Sequence, residues 1–291
     1  MELLSTKQEL QAALSLARSD HALIGLVPTM GALHAGHAAL ITAARRASDV
    51  VVVSVFVNPT QFAAGEDLER YPRDLARDAE FARVAGADLL FAPSAEEMYG
   101  TAIEPLSQTT LDVGELGHIW EGALRPTHFA GVALVVTKLL SLVRPERAWF
   151  GEKDYQQLCV IRQLVRDLDI PTEIVGAPTV READGLALSS RNRYLDGEAR
   201  SRATALSTAL AAVQQAADAG QRDARALEAT AEKILREDSA IQLGYRALVD
   251  PDTLQPVASL ERPARFLISA TLAGVHLIDN AEIRPPAERT R

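Results

Sequence analysis

Four segments follow one another without interruption near the start of the chain. They are the apolar run Ala22-Leu23-Ile24-Gly25-Leu26-Val27, the turn Pro28-Thr29-Met30-Gly31-Ala32-Leu33, the Ala-rich stretch from Ala35 to Ala47, and Val50-Val51-Val52-Val53-Ser54-Val55-Phe56-Val57. They read as strand, turn, helix and strand. The second run is unbroken rather than alternating, the pattern of a strand covered on both faces. Working outward, a helix is expected from Pro72 to about Ala85, stopped by Gly86, and then a strand at Asp88-Leu89-Leu90-Phe91-Ala92. Strands alternating with helices in this order predict an α/β fold with a doubly wound, Rossmann-like parallel sheet.

The alternation continues with a helix from Phe129 to Val143, a strand at Arg147-Ala148-Trp149-Phe150, a helix from Asp154 to Leu168 and a strand at Glu173-Ile174-Val175. Between them, Ser94 to Pro126 is less regular and reads as loops. The character changes near Ala183-Asp184-Gly185. Helices are expected over Asp196 to Ala219 and Asp223 to Glu237. Strands are expected at Tyr245 to Val249, Arg265 to Leu272 and Val275 to Ile278, the last two joined by a hairpin turn at Ala273-Gly274. The polar, Pro-containing tail from Ala281 reads as frayed. The expected division is therefore 1–183, a Rossmann-like domain, and 184–291, a smaller α+β lid domain.

Composition narrows the function classes. The 291 residues are 47% hydrophobic and 24% charged, an ordinary globular profile that excludes wholesale disorder. Thirty Lys and Arg against 39 Asp and Glu leave a net charge of −9, unfavourable for generic binding to nucleic acid or an anionic membrane. The single Cys159 forbids an intrachain disulfide and a Cys-based zinc site. The start Met1-Glu2-Leu3-Leu4 lacks the basic, then apolar, character of a signal peptide, and Phe129 to Val143 is too short to span a membrane. A cytoplasmic location is the expectation.

Five constellations carry chemistry. His34-Ala35-Gly36-His37 opens a helix after the first strand, where open α/β sheets place ligands. The two imidazoles project to one side, Gly36 admits close approach, and the helix start favours phosphate. Two surface or half-buried histidines with no ligand is the alternative. Asn58 and Gln61, in Phe56-Val57-Asn58-Pro59-Thr60-Gln61-Phe62, offer amides to a polar substrate or form an ordinary turn. Arg125-Pro126-Thr127-His128 is an anion site or a plain helix start. Gly151-Glu152-Lys153-Asp154-Tyr155-Gln156-Gln157 is a second strand–helix junction. There Lys153 supplies a point charge for phosphate, and Asp154 has helix capping as its alternative role. Asp184-Gly185-Leu186-Ala187-Leu188-Ser189-Ser190-Arg191-Asn192 is a triphosphate clamp or a polar linker. No metal site is expected from local ligand spacing.

Taken together and in this order, these motifs resemble the pantoate–β-alanine ligase (pantothenate synthetase) family, within the class I synthetase and nucleotidyltransferase superfamily. The likeness covers nearly the whole chain. It implies ATP-dependent condensation of (R)-pantoate with β-alanine to pantothenate, AMP and diphosphate through pantoyl adenylate. It implies ATP contacts from Met30, Gly31, His34, Gly36, His37, Gly151, Glu152, Lys153, Asp154, Val180, Leu188, Ser189, Ser190 and Arg191. Of these it gives His34, His37, Lys153, Ser189, Ser190 and Arg191 to catalysis, with His37 in the proton-donor role. It implies that Gln61 and Gln157 hold pantoate, with Asn58, Arg125 and His128 on the pantoate and β-alanine side. Mg²⁺ rides on the ATP phosphates, and the family implies a homodimer. Two rivals stand beside it. Another small nucleotidyltransferase would lack the Gln61 and Gln157 pair. A sensor or RNA-binding module conflicts with the net charge and the absence of a basic appendage.

Overall fold

Val50–Val55 lies between two parallel neighbours, as its unbroken apolar run requires, and Val51, Val52 and Val53 are fully buried. The computed structural model describes residues 1–100 and 109–286. In chain order its first part comprises β1 (Glu2–Leu4), α1 (Lys7–Ser19), β2 (Ile24–Thr29), α2 (Ala35–Ala47), β3 (Val50–Val55) and α3 (Leu75–Ala85). There follow β4 (Leu89–Phe91), α4 (Ala95–Tyr99), α5 (Glu121–Leu124), α6 (His128–Val143), β5 (Arg147–Gly151), α7 (Tyr155–Asp167) and β6 (Glu173–Ala177). Among the described residues, six strands form one parallel sheet in the order β1-β4-β3-β2-β5-β6. The chain winds outward from β2 to β3 and β4, then returns to set β5 against the other side of β2. The order reverses between β2 and β5. The loops leaving their carboxyl ends are therefore those of a switch-point crevice.

Pro28 sits inside β2, beyond where the sequence reading ended that strand. It is tolerated because β5 pairs β2 only at Gly25 and Leu26, so past Leu26 one edge of β2 needs no ladder donor. The N-terminal strand and helix were not anticipated. Yet Thr6 and Glu9 form a capping box that starts α1, with Glu9 N–H donating to Thr6 Oγ1 at 3.2 Å and Thr6 N–H to Glu9 Oε2 at 2.9 Å. Helix α3 begins after Asp74, not at Pro72, because the Asp74 carboxylate accepts the Arg77 N–H at 3.1 Å. The stretch read as loops contains α4 and α5, while 101–108 lies outside the described residues.

Contacts divide the chain into two compact units. The first is Met1–Glu152 with Gln156–Pro178. The second is Lys153–Tyr155 with the chain from Thr179. The change of unit after Pro178 comes a few residues before the expected 183/184 division. The reason is that Val180 to Leu188 already forms a hairpin, with an Arg181–Ala187 bridge and Leu188 N–H donating to Val180 O at 2.9 Å. The second unit then contains α8 (Gly197–Arg202), α9 (Ala205–Asp218), α10 (Ala224–Arg236), β7 (Gln242–Val249), β8 (Ala264–Leu272) and β9 (Val275–Ile283). One helix was expected over Asp196 to Ala219. It breaks at Ala203-Thr204, where the Thr204 hydroxyl donates back to Ser201 O at 2.7 Å. The strands form an antiparallel sheet, β7-β8-β9. Ala273 (φ 51°) and Gly274 (φ 74°) make its two-residue turn, both left-handed as a type I′ hairpin demands. Strand β9 runs on to Ile283, fully buried and paired with Ala264, so the tail does not fray at Ala281.

Candidate active site

The loop after β2 is built to present His34 and His37. Gly31 (φ 83°) and Ala32 (φ 51°) are consecutive left-handed residues, and a Cβ on Gly31 would lie 2.8 Å from Asp78 Oδ2. Asp78, buried on α3, accepts the Ala32 N–H with Oδ2 and the Leu33 N–H with Oδ1, both at 2.8 Å. Helix α2 starts immediately afterwards with an imidazole cap. His34 Nδ1 accepts the Gly36 N–H at 3.1 Å, and His37 Nδ1 accepts the His34 N–H at 3.3 Å. A ring nitrogen that accepts a hydrogen bond carries no proton, so in each imidazole the proton sits on Nε2. The two rings lie 4.1 Å apart, centroid to centroid. The cap thus turns two side chains into paired N–H donors at a helix N-terminus, the arrangement that favours a phosphate.

Gln61 sits beside this loop. Its Nε2 donates to Met30 Sδ at 3.2 Å and its Oε1 accepts from Asn58 Nδ2 at 3.1 Å. Among the described residues no further partner engages this side-chain amide, which leaves one Nε2–H and one Oε1 lone pair for a ligand. Asn58 has no such surplus. Its Nδ2 also donates to Gly131 O at 3.1 Å, and its Oδ1 accepts from the Thr60 hydroxyl at 2.9 Å and the Tyr99 hydroxyl at 2.7 Å. Asn58 therefore holds Gln61 in place. Burial pushes the Tyr99 hydroxyl up to about 12, so it stays a donor. Gly131 matters for the same loop, since a Cβ there would stand 2.4 Å from Thr60 O and 2.6 Å from Gln61 N.

Arg125 and His128 both serve the Gln61 backbone. His128 Nδ1 lies 3.1 Å from Gln61 O, and a carbonyl only accepts, so Nδ1 carries the proton and Nε2 the lone pair. Burial, then the Arg125 charge, pushes the His128 imidazole down to about 4, leaving it neutral at pH 7. The Arg125 guanidinium donates to Gln61 O at 3.3 Å and to both carboxylate oxygens of Glu66, while Glu121 lies 3.8 Å away. Its Nε and Nη2 donors are thus engaged by Gln61 and Glu66, and the charge is balanced by Glu66 and Glu121.

At the end of β5, Gly151 and Glu152 are half-buried. The two adjacent glutamines of α7 separate cleanly. Gln156 is buried, accepting the Glu121 N–H at 3.0 Å and donating to Leu116 O and Ile119 O. Gln157 is half-buried, and no hydrogen bond to another described residue engages its amide.

The remaining expected residues lie in the second unit. Lys153 Nζ donates to Asp154 Oδ1 at 3.1 Å, and its side chain is 19% exposed. Val180 and Leu188 are brought together by the backbone bond of the hairpin. Ser189 then caps a short 3₁₀ turn over Ser190–Tyr194, its hydroxyl accepting the Arg191 N–H at 3.3 Å. Arg200 secures the hairpin by pairing with Glu182 (2.7 Å) and Asp184 (2.8 Å).

Sequence reasoning missed Asp78, Tyr99, Glu66, Glu121 and Gly131, and gave Gln156 no role of its own. Only Asp78 carried a usable signal, as a carboxylate on the stripe Asp78–Ala82 that α3 buries. Among the described residues no group of three or more His, Cys, Asp or Glu is placed to hold a metal ion, and no helix is long and apolar enough to cross a membrane.

The family model described as pantoate-beta-alanine ligase matches residues 2–282. A pantothenate synthetase of Thermus thermophilus is 51% identical over 285 residues, covering 98% of this chain and 100% of that protein. One from Agrobacterium fabrum is 48% identical, covering 97% and 96%. A crystal structure of the Thermus thermophilus pantothenate synthetase superposes with a TM-score of 0.92, at 49% identity, covering 98% of this chain and all of that one. The Francisella tularensis pantoate-beta-alanine ligase, complexed with beta-gamma ATP and beta-alanine, gives 0.78 at 33% identity and covers 97% of each chain.

Proposed function

Because the chain belongs to the pantoate–β-alanine ligase family, making it an ATP-using ligase of pantothenate biosynthesis, we propose how its own residues divide the work. ATP enters as its Mg²⁺ complex, the ion held by phosphate oxygens. What supports this is donor chemistry, since His34 and His37 in the first unit and Lys153 in the second each bring N–H groups suited to phosphate oxygens.

In the first step a pantoate carboxylate oxygen attacks the α-phosphorus and diphosphate leaves. His34 and His37 direct Nε2–H toward the phosphates, with His37 as proton donor. Lys153, Ser189, Ser190 and Arg191 meet the triphosphate charge as it shifts toward the leaving group. Met30, Gly31, Gly36, Gly151, Glu152, Asp154, Val180 and Leu188 line the nucleotide. Gln61 and Gln157 hold pantoate, because a neutral amide suits a hydroxy acid better than a triphosphate. In the second step the β-alanine ammonium loses a proton to solvent and its nitrogen attacks the acyl carbon. The acyl C–O bond to phosphate breaks so that AMP leaves with the electron pair, and the nitrogen gives a second proton to solvent to become the amide. His128 Nε2 is assigned to that side as an acceptor, while Asn58 and Arg125 act by holding Gln61. The protein works as a homodimer in the cytoplasm.

The observation that carries this reading is the imidazole cap, which fixes the proton of both rings on Nε2 at a switch-point helix start. The test is AMP formation from ATP, which should require pantoate and β-alanine together. A different acid–amine pair turning over far faster would overturn the substrate assignment.

A further inference from the structure

We propose that Asn280, on β9, is a positioning residue for Lys153, acting through the Lys153 carbonyl; this rests on the phosphate role given to Lys153 above. Lys153 precedes α7, yet it packs within the second unit. The contact that holds it there is specific. Asn280 Nδ2 donates to Lys153 O at 2.8 Å, across 127 residues of sequence, and Asn280 Oδ1 accepts from Arg265 Nε at 2.6 Å. Both Asn280 and Arg265 are buried, at 4% and 7% exposure. The Arg265 guanidinium in turn stacks 3.9 Å over the ring of Tyr155, two residues past Lys153, and the Tyr155 hydroxyl donates to Pro251 O at 3.1 Å. The segment 153–155 is thus gripped at its backbone and at its aromatic side chain by one connected group.

Chemistry fixes which residue fits at 280. A carbonyl can only accept and a guanidinium can only donate, so the side chain between them must donate at one end and accept at the other. An amide of this length does both, and turning it over would set N–H against N–H and oxygen against oxygen. The isosteric Asp keeps the Arg265 partner but places an oxygen against the Lys153 carbonyl. The neighbouring residue has a parallel task. The Asp279 carboxylate takes both Nη atoms of Arg181, at 2.7 and 2.9 Å, in the hairpin that leads to Ser189 and Ser190.

Lys153 is worth most where charge develops, and a displacement of about 1 Å can cost on the order of 10²-fold in rate. Asn280→Asp should therefore slow single-turnover adenylation at saturating ATP about 10- to 100-fold while changing the ATP dissociation constant several-fold at most. The deciding experiment is a double-mutant cycle with Lys153→Ala. In the Lys153→Ala background, Asn280→Asp should have less than a twofold further effect. Asn280→Ala, which brings no charge, should show the same coupling and stands in if the Asp variant does not fold. Wild-type adenylation in both Asn280 variants, or an undiminished loss in the Lys153→Ala background, would overturn the proposal. Full adenylation by Lys153→Ala alone would instead overturn the role of Lys153.

Discussion

Asp78→Asn removes one oxygen from a buried carboxylate that receives two backbone N–H groups, each at 2.8 Å. The replacement amide keeps one acceptor and turns an NH₂ toward the other amide hydrogen. One charge-assisted hydrogen bond is lost and one buried N–H is left without an acceptor, together costing about 2–4 kcal/mol. Domains have roughly 5–15 kcal/mol in hand, so the fold should survive. The local effect is larger than the global one, because the clamp restrains Ala32, whose left-handed conformation is itself unfavourable by about 1–2 kcal/mol. Once released, the turn relaxes and His34, two residues on, leaves its capping geometry. Adenylation should then fall on the order of 10²-fold. Urea unfolding gives the stability change, and quenched-flow measurement of pyrophosphate release from ATP and pantoate gives the rate. A variant that unfolds at the wild-type urea concentration and adenylates at the wild-type rate would refute the clamp.

Replacing His37 or His34 with Ala should slow adenylation by about 10²–10³, the usual loss for one preorganised donor at developing charge. Near-normal adenylation by both variants would remove them from catalysis. Gln61→Ala should weaken pantoate binding with less effect on ATP, as separate calorimetric titrations would show. Loss of ATP affinity with pantoate affinity intact would reverse that assignment. His128, neutral in the fold with its value near 4 against 6.5 when free, takes up its proton more readily unfolded. Stability should therefore rise with pH between about 4 and 6.5 and fall on acidification by up to about 1.4 kcal/mol per pH unit. His128→Gln, which can still donate to Gln61 O, should flatten that slope, and a slope unchanged by the substitution would place its origin elsewhere.

Five of the six strands of the parallel sheet were legible because their signals are local, whereas the three-residue β1 was not. The Val50–Val55 run, the turn at Gly31 and the α2 boundaries each follow from a few adjacent residues. Helix α1 went unread, although the Thr6 and Glu9 of its capping box stand in the sequence. The site was legible only as residue types at strand ends. What each residue does depends on partners far along the chain: Asp78 for the turn at Ala32, Glu66 for Arg125, Asn280 for Lys153. An isolated Asp or Glu in a helix or loop normally reads as solvated. Beyond the buried stripe that carries Asp78, nothing nearby in sequence marks Glu66 or Asn280 as a partner, and the break of α8 from α9 at Thr204 is hidden within an Ala-rich run.

The two-step ligase account is tested most directly by isotope exchange. With ATP and pantoate present and β-alanine absent, reversal of adenylation should carry labelled pyrophosphate into ATP, and acid-quenched single-turnover mixtures should contain pantoyl adenylate. Neither exchange nor adenylate, in protein proven to form AMP once β-alanine is added, would contradict it.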